Sequence, residues 1–103
     1  MFAPIALAFV LGTASFYGKE CHGKRMANGQ YFDMHKLTCA SWDYPFGTKL
    51  RVTNLANDRS VVVEVTDRGP NKRLERILDL SQAAFDFIAD LKVGLIKVKV
   101  EKI

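Results

Sequence analysis

The sequence predicts a small, mostly β domain, built as a barrel or a sandwich of short strands with one short helix. Apolar and polar residues alternate with a period of two in several stretches, most clearly at 48–55, 61–66 and 96–101. An apolar face at helical spacing follows at 84–91. We find no linker, low-complexity stretch or internal repeat, so the 103 residues are expected to form one domain with a buried core.

The composition is that of a folded protein, with 49% apolar and 25% charged residues. The net charge of +4 and the pI of about 9.2 are compatible with a polyanionic partner. No aromatic-interleaved basic stripe and no helix-turn-helix pattern accompanies this charge. We therefore do not expect nucleic acid as the partner.

We divide the sequence into an apolar N-terminal segment, 1–11 (MFAPIALAFVL), and a domain at 12–103. It is too short to span a bilayer, so we expect no membrane span. Ala6-Leu7-Ala8 has the small-x-small form of a leader cleavage site, although Pro4 breaks the run and no Lys or Arg precedes it. The alternative is a lead-in strand that covers a barrel edge. We favour a leader remnant.

The predicted strands follow in order along the domain. The first lies at 12–18 between two glycines, and a loop containing the Asn28-Gly29 turn leads to a buried strand at 37–40. The strands at 48–55 and 61–66 form a hairpin.

The helix and the last strand complete the domain. Ser81 is the predicted N-cap, and Val93-Gly94 ends the helix. The predicted buried face of the helix carries Ala84, Phe87, Ile88 and Leu91. In the final strand the inward residues are Ile96, Val98 and Val100.

The stretch 61–70, VVVEVTDRGP, places a carboxylate at the end of a predicted strand. Asp67 falls where the alternation stops, and Arg68 and the turn pair Gly69-Pro70 follow at once. Sites are often built in this way, on a loop that a rigid strand positions. Alternatively, Asp67 stabilises the turn through an Asx-type hydrogen bond. The stretch by itself leaves both readings open.

Seven stretches in this order resemble the double-psi β-barrel domain of the rare lipoprotein A (RlpA) family. They are ASFYG (14–18), HGKRMANG (22–29), FDM (32–34), LT (37–38), PFGTKLRVTNL (45–55), RSVVVEVTDRGP (59–70) and ILDLSQAA (77–84). The resemblance implies a six-stranded double-psi β-barrel with one or two short helices. It also implies distant relationship to expansins and barwin-like proteins.

Members of the RlpA family that act on peptidoglycan are lytic transglycosylases. They cut the bond between N-acetylmuramic acid and N-acetylglucosamine and leave a 1,6-anhydro end. The resemblance therefore implies peptidoglycan glycan strands as the partner and an exported protein in the periplasm or cell envelope. Asp67 matches the acid of the family's DRGP motif, and Asp33 matches the acid of its FDM motif, so these two are the candidate catalytic residues.

Two positions depart from the family pattern. Gln30 stands where active members often carry Glu, and Ser41 stands where they carry His. Gln cannot ionise, and Ser is not a base near neutral pH without help. A lytic transglycosylase remains the first hypothesis, and these changes leave open the alternative of a non-catalytic glycan-binding module. A barwin-like interaction domain is a third hypothesis.

The candidate substrate-binding residues are Gln30, Ser41, Trp42, Tyr44, Arg68 and His22. Trp42 and Tyr44 could stack on sugar faces. Alternatively, Phe46 and one of these two close the end of the barrel, which is the role we expect for Phe46. His22 is expected to make one backbone hydrogen bond.

Arg68 begins a basic stretch that continues with Lys72, Arg73 and Arg76. These side chains either meet the carboxylates of peptidoglycan stem peptides or form an ordinary solvated loop.

Cys21 and Cys39 are either one disulfide, as in many small exported domains, or two thiols. With His22 and His35 they could suggest zinc, but the adjacent pair Cys21-His22 does not match the usual ligand spacing. We therefore predict no metal and no cofactor.

Overall fold

The computed structural model describes residues 9–103. Within this range the chain forms six strands, one α-helix and two 3-10 turns. The strands are β1 (Phe9–Tyr17), β2 (Thr38–Ala40), β3 (Lys49–Asn54), β4 (Ser60–Asp67), β5 (Leu78–Ser81) and β6 (Ile96–Lys102). The helix is α1 (Gln82–Ile88), and the 3-10 turns are Lys72–Leu74 and Leu91–Val93. The predicted mostly β class is confirmed.

The six strands close into a barrel in the order β1-β5-β2-β4-β3-β6. The pairs β1/β5 and β2/β4 are parallel, and the other four pairs are antiparallel. Because the barrel is closed, no strand is left with a free edge. This closed six-stranded arrangement agrees with the double-psi β-barrel that the resemblance implies.

The core fills the barrel interior with the inward half of each alternating strand. In β4, Val61, Val63 and Val65 are buried, while Val62 on the outer face is 41% exposed. Helix α1 packs against β4, β5 and β1 and adds Ala84, Phe85 and Ile88 to the same core.

Strand β1 begins at Phe9 and not at Gly12, where the sequence pattern placed its start. Residues Phe9, Val10 and Leu11 pair with Glu101, Val100 and Lys99 of β6. The last part of the apolar segment 1–11 is therefore a strand of the barrel. The leader-like residues 1–8 lie outside the described part of the chain.

The predicted N-cap of the helix is confirmed, and so are Ala84 and Ile88 of the predicted buried face, but Phe87 is not part of that face. The Ser81 hydroxyl accepts a hydrogen bond from Ala84 N at 3.2 Å. Phe85 is fully buried, and Phe87 is 61% exposed. The helix also ends early, at Ile88, because Ala89 is extended with φ −158°.

A tertiary contact explains this early end. The side-chain amides of Asn54 and Asn57 both donate to the carbonyl of Ile88, at 2.9 and 3.0 Å. They satisfy a carbonyl that a longer helix would use internally. Consequently, Leu91 belongs to a separate 3-10 turn. No helix in residues 9–103 has the length and apolar character needed to cross a membrane.

Candidate functional site

A cleft of about 300 Å³ opens beside the barrel wall. Its floor is made by Tyr17, Ala40 and Asp67, the last residues of β1, β2 and β4, together with Asp79 of β5. Loop residues from 21–32 and 68–71 form its sides. The cleft therefore gathers residues that are far apart in sequence onto one rigid surface.

Asp67 is half-buried in this cleft, and its side chain forms the turn-stabilising hydrogen bond that the sequence allowed. Its Oδ1 accepts hydrogen bonds from the backbone N–H groups of Ala27 and Arg68, each at 2.9 Å. These bonds fix the 24–32 loop and the turn after β4. Within residues 9–103, Oδ2 accepts no hydrogen bond, so this oxygen is available to a ligand in the cleft.

Asp79 is a second carboxyl in the same cleft, and the sequence reading missed it. It lies between the buried residues Leu78 and Leu80 and therefore points to the outer face of β5. Its Oδ1 accepts a hydrogen bond from the hydroxyl of Ser15, its neighbour on β1, at 3.0 Å.

Burial raises the pKa of Asp79 from 3.8 to about 6. The negative charges of Glu20 and Asp67 raise this pKa further, while the Ser15 hydrogen bond and the Arg76 charge lower it. Asp79 is thus protonated more readily near neutral pH than an ordinary aspartate. The available signal in the sequence was Asp79 itself, a single acid that interrupts the apolar run 77–80.

Asp33, the expected partner of Asp67, lies in a different cavity. It lines a groove of about 610 Å³ with Gln30, Lys36 and Glu64. Its Oδ1 accepts a hydrogen bond from His35 N at 2.9 Å, which stabilises the turn that follows Asp33. Met26 lines both cavities, so the groove adjoins the cleft.

Gln30 and His22 are exposed loop residues. The Gln30 side chain accepts a hydrogen bond from Asn28 at 3.1 Å and borders the groove. His22 Nδ1 accepts a hydrogen bond from Met34 N at 3.2 Å, so the predicted single backbone bond is confirmed.

Ser41 does not face a ligand. It is fully buried, and its hydroxyl accepts a hydrogen bond from Asp43 N at 3.1 Å. The structure therefore corrects the prediction that Ser41 contacts substrate. Its role is to hold the 41–46 loop.

Arg68 supports the same loop from the cleft side. One guanidinium nitrogen, Nη1, donates to the carbonyls of Ser41 and Tyr44, at 3.0 Å each. The guanidinium carbon lies 3.9 Å from the ring centroid of Phe46. Arg68 borders the cleft, but much of its hydrogen-bonding capacity is used within the protein.

The aromatic residues of the 41–46 loop are Trp42, Tyr44 and Phe46, and their surroundings differ. Trp42 is 46% exposed, donates a hydrogen bond to the carbonyl of Pro70 and lies beneath the Lys72 ammonium group at 4.8 Å. Since Pro70 borders the cleft, Trp42 remains a candidate for sugar stacking at its rim.

Tyr44 and Phe46, the other two aromatic residues of this loop, do not line the cleft. Tyr44 packs against the barrel core and lines a separate small pocket with Val10, Ile77 and Val100. It is therefore not in the cleft. Phe46 does not close the barrel, because it is 42% exposed beneath Arg68.

Both cysteines are free thiols in the structure, so the disulfide alternative is not formed. Cys39 points into the barrel core, and burial raises the pKa of its thiol to about 12. Cys21 borders the cleft, where burial also raises its pKa. Neither thiol is activated as a nucleophile.

Sequence comparison identifies the family. The protein family described as lytic transglycolase matches residues 10–100. The chain belongs to this family. This lytic transglycolase domain is also 44% identical over 94 residues to the endolytic peptidoglycan transglycosylase RlpA of Pseudomonas aeruginosa (strain UCBPP-PA14). That match covers 91% of this chain and 27% of the Pseudomonas protein.

A second relative also carries the name RlpA. The domain is 51% identical over 73 residues to the probable endolytic peptidoglycan transglycosylase RlpA of Synechocystis (strain ATCC 27184 / PCC 6803 / Kazusa), a match that covers 71% of this chain and 22% of that protein. The lytic transglycolase domain thus spans only about a quarter of these relatives.

Solved structures share the fold. The Streptomyces papain inhibitor superposes with a TM-score of 0.74 at 25% identity and covers 97% of both chains. An expansin of Clavibacter michiganensis superposes with a TM-score of 0.70 at 24% identity, over 92% of this chain and 50% of that chain.

Proposed function

We propose that this domain is a lytic transglycosylase that cleaves the glycan strands of peptidoglycan, with Asp67 and Asp79 as its catalytic carboxyls. The observation that carries the proposal is the position of both carboxyls in one cleft, one of them with a pKa raised to about 6. Paired carboxyls in unlike environments are the usual arrangement for acid and base chemistry on glycosidic bonds. The names of the RlpA relatives support peptidoglycan as the substrate class. Because peptidoglycan lies outside the cytoplasm, we also propose that the protein is exported to the periplasm or cell envelope.

Asp79 is assigned as the general acid. Protonated Asp79 gives its proton to the glycosidic oxygen as the bond from that oxygen to the anomeric carbon breaks. Asp67 is assigned as the base that takes the proton from the 6-hydroxyl of the muramoyl unit. The 6-oxygen then bonds to the anomeric carbon, which forms the 1,6-anhydro ring without consuming water.

The groove beyond Met26 is assigned to strand binding. A glycan strand longer than a few sugars extends past a cleft of about 300 Å³, and the adjoining groove offers polar side chains on its path. Asp33 and Gln30 would contact the strand there and not the reacting bond. This assignment is compatible with the uncharged side chain of Gln30, because a binding residue does not have to ionise.

The test is digestion of purified, peptide-free glycan strands, followed by mass analysis of the soluble products. We expect the wild-type domain to release fragments that end in 1,6-anhydro muramic acid, and we expect Asp67→Asn and Asp79→Asn each to lower release at least about 100-fold. Asp86→Asn is the matched control, because Asp86 is exposed on α1. Products with reducing ends would instead identify a hydrolase.

The second candidate function is a non-catalytic glycan-binding module. It is favoured by Gln30 and by the burial of Ser41, the two positions that depart from the pattern of active members. Retention of the wild-type domain on sacculi without release of fragments would support this function. Absence of both retention and release would leave an interaction domain, which an assay for inhibition of papain-type proteases would then test.

A further inference from the structure

Tyr17 lines the cleft, and its phenol hydroxyl has no role in the proposed mechanism. Tyr17 is the last residue of β1, and it is only 8% exposed. Its ring stacks on Phe32 with centroids 4.3 Å apart and ring planes 20° apart, so packing fixes its position. Within residues 9–103 the hydroxyl oxygen is buried and has no hydrogen-bond partner.

An unpaired buried hydroxyl is unusual, because a group that leaves water normally gains a partner in the protein. The ring stacking on Phe32 does not require the hydroxyl, and a phenylalanine would preserve it. The hydroxyl therefore forms no hydrogen bond that supports the fold within residues 9–103, while Tyr17 as a residue lines the cleft.

The two carboxyls of the cleft do not serve as its acceptors. Oδ1 of Asp67 is occupied by two backbone N–H groups, and Oδ1 of Asp79 is occupied by Ser15. Burial raises the pKa of Tyr17, and the negative charges of Asp67 and Asp79 raise it further. The phenol consequently keeps its proton and can act as a donor between these carboxyls.

We propose that Tyr17 is a further substrate-binding residue, whose hydroxyl donates a hydrogen bond to an oxygen of the sugar unit held between Asp67 and Asp79. This inference rests on the proposed function. Amino sugars carry hydroxyl, ring and acetamido oxygens that accept such a bond. Because the carboxyls are mainly acceptors, a donor beside them complements the sugar oxygens that they cannot bind.

The test compares Tyr17→Phe with wild type on soluble peptide-free strands. We expect kcat/KM to fall about tenfold, mainly through a higher KM, since one hydrogen bond to substrate is lost. The melting temperature should stay the same or rise, and the midpoint of the pH–rate profile should not move. Tyr44→Phe is the matched control, because Tyr44 lies in the separate pocket beside Val10 and Ile77.

The outcomes distinguish this inference from the proposed function. Equal kcat/KM in Tyr17→Phe and wild type would overturn the role of Tyr17 and leave the enzyme intact. A loss of activity that follows a lower melting temperature would also overturn it, since that result indicates a structural role. If wild type binds sacculi without cleavage, about tenfold weaker retention of Tyr17→Phe would support the inference while the catalytic proposal fails. If wild type neither binds nor cleaves, both proposals fail.

Discussion

Asp79 is the residue at which function conflicts most clearly with stability. Its carboxyl sits in a half-buried position on the barrel wall, where a single serine hydroxyl is its hydrogen-bond donor among the described side chains. Burial raises its pKa to about 6, so the charged form is unfavourable in the folded protein. A non-ionisable side chain of similar shape would suit the fold better.

We therefore expect Asp79→Asn to stabilise the folded protein at neutral pH. Between about pH 4 and pH 6 the folded state holds a proton that the unfolded chain has released, so wild-type stability falls as pH rises through this window. The free energy of unfolding of Asp79→Asn should exceed that of wild type by about 1–2 kcal/mol at pH 7, after allowance for solvent screening of the group.

Urea denaturation of both proteins at pH 4 and pH 7 checks this expectation. The difference should be small at pH 4, the lower end of this window, where the folded wild type is protonated at residue 79 and the unfolded chain has released only part of this proton. A difference of equal size at the two pH values would show that the pKa of Asp79 is not raised.

At the level of single elements, side chains from distant strands fix the ends of the short segments. The Ser81 hydroxyl accepts hydrogen bonds from Ala84 N and Thr38 N and donates one to the carbonyl of Lys36, at 2.6 Å. This one side chain begins helix α1 and also ties β5 to the chain before β2. It is fully buried, so water cannot replace it.

Ser81→Ala should consequently destabilise the protein more than the loss of an ordinary N-cap does. We expect a loss of about 2–3 kcal/mol in the free energy of unfolding, above the ~1 kcal/mol of a typical cap, because buried partners are left unpaired. Chemical denaturation measures the loss, with Ser60→Ala at an exposed strand start as the control. A loss below about 0.5 kcal/mol would contradict the role of Ser81 as a shared anchor.

The loop 41–46 depends in the same way on Arg68. Arg68→Leu removes the two hydrogen bonds to backbone carbonyls and the contact with Phe46. We expect the free energy of unfolding to fall by about 1–2 kcal/mol and hydrogen exchange at residues 41–46 to become faster. Arg59→Leu, at an exposed position before β4, is the matched control. Unchanged exchange at 41–46 in Arg68→Leu would contradict the role of Arg68.

Strand β6 closes the whole barrel, because it pairs with β1 on one side and β3 on the other. Val98 is fully buried in this strand. We expect Val98→Ala to lower the free energy of unfolding by about 2 kcal/mol, since it leaves a cavity in a closed core.

The control for this change is Val62→Ala on the outer face of β4, where 41% of the side chain is exposed. Val62→Ala should lower the free energy of unfolding by less than about 0.5 kcal/mol. Equal losses in the two variants, measured by denaturation, would contradict the inward and outward assignment of these strands.

The sequence predicted the barrel well because strand alternation is a local pattern. Val61, Val63 and Val98 could be assigned to the core from their own neighbours. The end of helix α1 could not be predicted in this way, because Asn54 and Asn57, far away in sequence, determine it. The buried position of Ser41 depends on the loop that Arg68 holds, which no local pattern reveals.

The candidate site was predictable only in part, for the same reason. Asp67 stood out at the end of a strand before a turn. Asp79 can be recognised as a cleft residue only once the strand pairing is known. Strand β5 pairs in parallel with β1 and antiparallel with β2. The separation of Asp33 from Asp67 is likewise a property of the closed barrel, in which Met26 stands between the two cavities.

The most direct test of the two-carboxyl cleft is the pH dependence of 1,6-anhydro end formation on soluble glycan strands. With protonated Asp79 as the acid, the rate should fall as pH rises through about 6, and this alkaline limb should be absent from any residual activity of Asp79→Asn. A wild-type rate that stays constant between pH 5 and pH 8, or the same alkaline limb in Asp79→Asn, would contradict the assignment of the catalytic acid.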